Sequence, residues 1–226
     1  MTAKINYKSK NIKKNLENLV LFIDDKISIS SLKKQISPSE YTYISELLDI
    51  NDKKKEILTY DISSKRKIIL VVIKQKITAS ESESLGAKFY DHFKDSKKND
   101  FTINTDTNSS RLKNFIAYFL HGLRLKSYNF EKYKSKKKKK TISINLIGKN
   151  KPTQTDQIKF KAIEDGAFFA RDLVSEPGNV LHPDEYAKRI NTLKKLGLKI
   201  KLFDDKKCKK LGMNALLGVG QGSIRG

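Results

Sequence analysis

One cysteine, Cys208, stands in 226 residues. No intrachain disulfide can form, and a reducing cytoplasm is the natural setting for such a chain. Cys208 sits among lysines that could lower its thiol pKa, but a packing role is the simpler reading. No apolar run approaches the roughly 18 residues needed to span a bilayer. The stretch Leu19–Ile23 is too short for a secretory signal and ends in Asp24-Asp25, so it reads as a strand. Ready-made site signatures are missing as well. His92, His121 and His182 lie far apart, outside any His-Glu-x-x-His or Cys/His zinc spacing. There is no phosphate-binding G-x-x-x-x-G-K-[ST]. Gly218–Ser223 is glycine-rich without the G-x-G-x-x-G spacing, and Ser223 is not in a G-x-S-x-G elbow.

Arginine is scarce too, with six residues among 47 basic ones, while the formal net charge is +22. Proteins that grip phosphate bidentately favour arginine, and a lysine excess is also what an AT-rich coding sequence produces. Residues 1–150 carry +16 of the +22. The sharpest cluster, 132–140, has seven lysines in nine residues, with Lys136, Lys137, Lys138, Lys139 and Lys140 in an unbroken run. A solvated loop between a helix and a strand explains it, and the functional alternative is a DNA contact.

Hydrophobic residues at 38% are enough to fill a core. The first 150 residues alternate strand-like and helix-like stretches. Ile68–Ile73 is apolar on both faces, which suits a central strand covered on both sides. Thr78–Glu83 supplies caps and first-turn carboxylates for a helix carrying Leu85, Phe89 and Phe93. Phe101 and Ile103 alternate as a strand. Leu112, Phe115, Ile116, Phe119, Leu120 and Leu123 form an amphipathic helical stripe that Asn108 or Ser109 can cap. Thr141–Ile147 is a further strand. The alternation predicts an α/β domain over 1–150.

The pattern breaks at Gly148–Thr153, a boundary signal. Beyond it a helix is expected from Asp156 to about Leu173, with Ile163, Ala167, Ala170 and Val174 on one face. Pro183 suits the first turn of a helix over Asp184–Leu196. Leu198–Phe203 alternates as a strand, and Asp204 or Asp205 can cap a short helix through Cys208.

Three phrases stand apart from this patterning. Phe169–Pro183 contains Arg171-Asp172 and the turn Pro177-Gly178-Asn179. Leu211–Ser223 is the second. Gly122–Lys134 is the third, with Tyr128-x-Phe130-x-x-Tyr133-Lys134 at its end. In this order and at these distances they resemble the leucyl (cytosol) aminopeptidase family, specifically from Gly122 onward and loosely before it. His182 stands where that family usually has threonine or tyrosine, and reads as a helix cap or loop residue. The Arg171 region reads as structural, the alternative being that it lies near a substrate cleft.

The resemblance implies a macro-like N-terminal α/β domain with a mixed sheet over 1–150. A linker helix and the first elements of the α/β catalytic domain would then occupy 151–226. It also implies a cytoplasmic homo-hexamer that releases N-terminal, leucine-like residues from peptides, with two divalent ions, manganese or zinc, as cofactors. The family's metal ligands are a lysine, three aspartates and a glutamate, within motifs such as Phe-Asp-Thr-Gly-Gly and Asn-Thr-Asp-Ala-Glu-Gly-Arg. Neither motif occurs in this sequence. The resemblance therefore assigns no catalytic and no metal-binding residue here, and the stop at Gly226 in mid-phrase reads as a fragment of a longer product without activity of its own, the alternative being a natural truncation. The rival reading is a basic DNA-binding or oligomer-scaffolding module. Salt dependence separates the two: phosphate binding weakens steeply as salt rises, and replacing Lys136–Lys140 with glutamine reduces it. No duplex affinity at low salt makes the charge compositional only.

Overall fold

A computed structural model describes residues 3–7, 17–50, 55–135 and 141–222. The chain divides into two compact units, Met1–Phe168 and Phe169–Gly226, with the division inside one helix.

The first unit is built on a six-stranded sheet. Its strands are β1 (Lys4–Asn6), β2 (Asn18–Asp24), β3 (Ile57–Asp61), β4 (Lys67–Ile73), β5 (Asp100–Asn104) and β6 (Ser143–Ile147), in the order β1-β6-β5-β2-β4-β3. All neighbours are parallel except β3, which runs antiparallel to β4. The sheet is thus mixed, as expected, and the expected strands at Leu19–Ile23, Ile68–Ile73, Phe101–Ile103 and within Thr141–Ile147 are all present. β2 and β4 pair over seven residues, Asn18 with Lys67 through Asp24 with Ile73. Val20, Leu21, Phe22, Ile69, Leu70 and Val71 are wholly buried because apolar layers cover both faces.

Those layers are distinct. One holds α2 (Ala79–Phe93) and α3 (Phe115–Lys126), whose Phe89, Phe115 and Phe119 meet Phe22 and Phe101 of the sheet. Phe22 touches Phe115 and Phe119 edge-to-face at centroid distances of 5.2 and 5.5 Å. The other layer packs Leu32 and Ile44, from a 3-10 turn and from α1 (Pro38–Ile50), against Leu19, Leu21 and Leu70. Glu40 of α1 is tied to Arg66 at the β3–β4 turn. Burial would raise the Glu40 carboxyl, but hydrogen bonds from Arg66 and Ser37 outweigh it and hold the pKa below its usual value.

Local signals start the helices. Thr78 and Glu81 form a reciprocal capping box: Glu81 N donates to Thr78 Oγ1 at 3.2 Å and Thr78 N to Glu81 Oε2 at 2.9 Å. That backbone N–H, with Lys74 beside it, holds the Glu81 carboxyl at about 2. α3 departs from expectation. It begins at Phe115, after Asn114 in the left-handed region at φ 64°. Asn108 instead closes the 3-10 turn Thr105–Thr107 and accepts from Ser110, so neither Asn108 nor Ser109 caps the helix. Asparagine tolerates the left-handed turn that redirects the chain there. Leu112 still packs on the core from outside the helix.

α2 and α3 cross with their backbones in contact. A methyl group at Gly86 would lie 1.9 Å from Phe119 O, and one at Gly122 would lie 1.9 Å from Glu83 O. Each helix gives up a side chain where the other passes. Expected outcome: Gly122→Ala lowers stability by about 3 kcal/mol because backbone must move, whereas Gly166→Ala raises it by about 0.5–1 kcal/mol. Gly166 has nothing within 4 Å of where its methyl would stand. Urea unfolding of both variants checks the pair, and equal midpoints would contradict the crossing.

Candidate functional site

The three phrases can now be placed residue by residue. Gly122–Lys134 begins in α3, and most of its members have a packing task. Gly122 permits the helix crossing and Leu123 is core. Ser127 Oγ accepts from Ala3 N at 2.9 Å and donates to Arg124 O at 2.7 Å, fastening the start of the chain under the helix end. Tyr128 stacks on Phe168 at 5.5 Å.

Arg124 takes part in the most heavily buried charge cluster of the first unit. Glu164, on α4 (Gln154–Ser175), is almost fully buried. His121 Nδ1 lies 3.1 Å from its Oε1, and Arg124 Nε lies 2.8 Å from its Oε2. The arginine contact is an ion pair without linear hydrogen-bond geometry. Phe160, one turn earlier, packs against Tyr118 and His121. Tyr7 feels the cluster: burial, then the Glu164 charge, raises its hydroxyl pKa, and Arg124 partly offsets the rise. A carboxylate taken from water needs such partners, since an unpaired buried charge is costly. The expected apolar face of α4 is corrected accordingly: Ile163 and Val174 are exposed, at 46% and 87%, and Phe160 and Glu164 point inward. Apolar spacing cannot register a buried face that is centred on a charge. At its amino end α4 is capped by Thr153 and Asp156, which also accepts from Asn114 Nδ2 at 3.0 Å.

In the second unit, Arg171 and Asp172 occupy the last turns of α4, and neither is without a partner. Pro177–Asn179 turns the chain, with Val180 N donating to Pro177 O. His182 takes the N-cap position of α5 (Pro183–Asn191), bonded through Nδ1 to Asp184, and Pro183 fills the first turn. Arg189 joins the pieces. Its Nη1 lies 2.8 Å from Glu176 Oε1 and its Nε 3.2 Å from Glu185 Oε1. These two carboxylates raise the arginine's pKa further. Asp204 caps α6 (Asp205–Lys210) by accepting from Lys207 N at 2.8 Å. Gly212, at φ 72°, turns the chain toward α7 (Asn214–Gly220). Cys208 is buried in α6, which suits packing rather than nucleophilic attack.

Two expectations in this unit are corrected. The helix over Asp184–Leu196 ends at Asn191 and continues as a 3-10 turn, Thr192–Leu196. Leu198–Phe203 is not a strand; alternation makes a strand only when another strand supplies hydrogen bonds. Among the described residues of this unit only Leu173 and Cys208 are buried hydrophobics, and Leu196, Leu202, Phe203 and Leu216 are exposed. An open groove of about 1200 Å³ is lined by Pro183, Ala187, Lys188, Leu202, Phe203 and Lys207, among others.

Lys136–Lys140 lie outside the described residues. No group of three or more His, Cys, Asp or Glu able to hold a metal exists among the described residues. Glu164 is paired with Arg124 in the first unit, and Glu176 and Glu185 with Arg189 in the second.

Residues 168–226 match the model of the cytosol aminopeptidase family, catalytic domain. A probable cytosol aminopeptidase of Bradyrhizobium sp. is 46% identical over 110 residues, covering 46% of this chain and 22% of that protein. A tomato leucine aminopeptidase variant has a similar fold, with TM-score 0.69 and 17% identity over 93% of this chain and 46% of its own. A bottromycin maturation enzyme, solved in complex with Mn, gives TM-score 0.68 and 15% identity over 92% of this chain and 43% of its own. The similarity to the cytosol aminopeptidase family's catalytic domain is thus carried by residues 168–226. The chain spans less than half the length of these relatives.

The Glu164 cluster yields a test. Glu164→Gln should cost about 2–3 kcal/mol, because Arg124 loses the carboxylate charge that offsets its burial and the contact of His121 Nδ1 is weakened. Urea denaturation reads this, and an unchanged midpoint would remove Glu164 from its structural role.

Proposed function

We propose that this chain supplies the N-terminal α/β unit and the front of the catalytic domain of a leucyl aminopeptidase, an enzyme that releases N-terminal amino acids from peptides. The match of residues 168–226 to the family's catalytic domain carries the reading. In it, residues 1–150 form the N-terminal domain, and 151–226 are a linker helix with the start of the peptidase domain. The exposed apolar residues of the second unit support this, since they are what the front of a larger domain presents before the rest packs on it.

The reading includes two divalent metal ions, manganese or zinc, peptide substrates, a cytoplasmic location and a homo-hexameric assembly. The Mn bound by the bottromycin maturation enzyme supports the choice of metal, and the names of the curated relatives support the location. No described helix is long and apolar enough to cross a membrane. No residue of this sequence is assigned a catalytic or metal-binding role. What Glu176 and Arg189 contribute in this reading is support: their salt bridge ties the turn after α4 to α5. The alternative, a basic module contacting DNA through Lys136–Lys140 or scaffolding an oligomer, rests on charge alone.

The purified 226-residue chain is expected to release no p-nitroaniline from leucyl-p-nitroanilide, with or without added manganese. Metal-dependent turnover by this chain would move the chemistry into its own residues and overturn the proposal.

A further inference from the structure

The two outer strands of the sheet differ. β1 is three residues long, whereas β3 pairs with β4 from Ile57 to Asp61 without a bulge. Val72 N donates to Glu56 O and Ile62 N to Arg66 O. These bonds set the parity of the ladder. Glu56, Leu58, Tyr60 and Ile62 turn their main-chain groups toward β4, and Ile57, Thr59 and Asp61 turn theirs away from it. Among the described residues no strand pairs with that outer row. Such an edge is usually blunted by proline, a bulge or inward-pointing charge, and β3 contains no proline. Beside it a groove of about 530 Å³ runs between the strand and α2, with Lys88 and His92 on the helix side.

The charges along the outer row decide what fits there. Lys55 stands before Ile57 and Asp61 ends the row, and both are exposed. An acidic peptide would meet Lys55 but also Glu56 and Asp61. A strand of the same sequence running antiparallel reverses the order of charges. With Ile57 of one copy opposite Thr59 of the other, each Lys55 falls opposite Asp61 of the second copy, on the same side of the sheet. Asp61 already holds Lys67 of its own β4 at 2.6 Å, and a carboxylate has lone pairs for a second cation.

We infer that two copies of this chain associate through β3, forming an antiparallel β3–β3 pair about a two-fold axis at Leu58 and joining two sheets into one. The isologous contact needs no other molecule, since a two-fold axis pairs one patch with itself. The inference rests on sheet order and edge charge and is independent of the aminopeptidase reading.

Sedimentation of the full chain tests it. The unaltered chain should show a concentration-dependent monomer–dimer equilibrium. Thr59→Pro should sediment as monomer at every concentration while keeping its circular dichroism, because the lost N–H points away from β4. Lys55→Asp, a surface change, should weaken dimerisation about tenfold through two reversed cross-strand pairs, and adding Asp61→Lys to the same chain should restore it. An unaltered chain that stays monomeric overturns the inference. Association that survives Thr59→Pro, or a double variant as weak as the single one, does the same.

Discussion

Much of the first unit depends on how closely α2 can approach α3. Gly86 and Gly122 let the two backbones touch, with Phe119 O and Glu83 O occupying the space that side chains would need. The approach holds Phe89, Phe115 and Phe119 in one aromatic layer over Phe22 and Phe101. A wider crossing would open a void between helices and sheet, and interiors tolerate few voids larger than a water molecule. The same turn of α3 presents His121 and Arg124 to Glu164 on α4, so the crossing also sets where the third helix docks.

This dependence gives physical content to the phrase Gly122–Lys134. Gly122 is required by the crossing, Leu123 by the core, Arg124 by the buried carboxylate and Ser127 by the start of the chain. Each of these residues meets a separate constraint, and together they are hard to satisfy in another way. In the second unit Glu176, within the phrase Phe169–Pro183, is held by Arg189 of α5, which also pairs with Glu185.

Much of the sheet was legible because β2 and β4 are apolar on both faces and β5 and β6 alternate. β1, β3 and α1 were not anticipated. β1 is three residues long, and β3 exists only through its ladder with β4. The start of α3 was misplaced because Asn108 and Ser109 look like caps, while the turn at Asn114 depends on where the sheet delivers the chain. Leu198–Phe203 alternates like a strand but has no strand beside it. Of the candidate contacts, Lys136–Lys140 could be named from charge alone, whereas the Glu164 cluster could not, because its members lie 40 and 43 positions apart.

The sequence by itself determined the α/β class, the central strands and the capping box at Thr78, because these rest on local pattern, and its short phrases carry the resemblance to a family. Only the tertiary structure decided that Glu164 faces inward, that two glycines mark a helix crossing and that β3 is left as an edge. Those features come from contacts between residues distant in the chain, and neither spacing nor composition records which partner a side chain will meet. Phe169–Ala187 belongs to both accounts: its order of residues names the domain, and its fold shows a loop and two helix ends held by salt bridges.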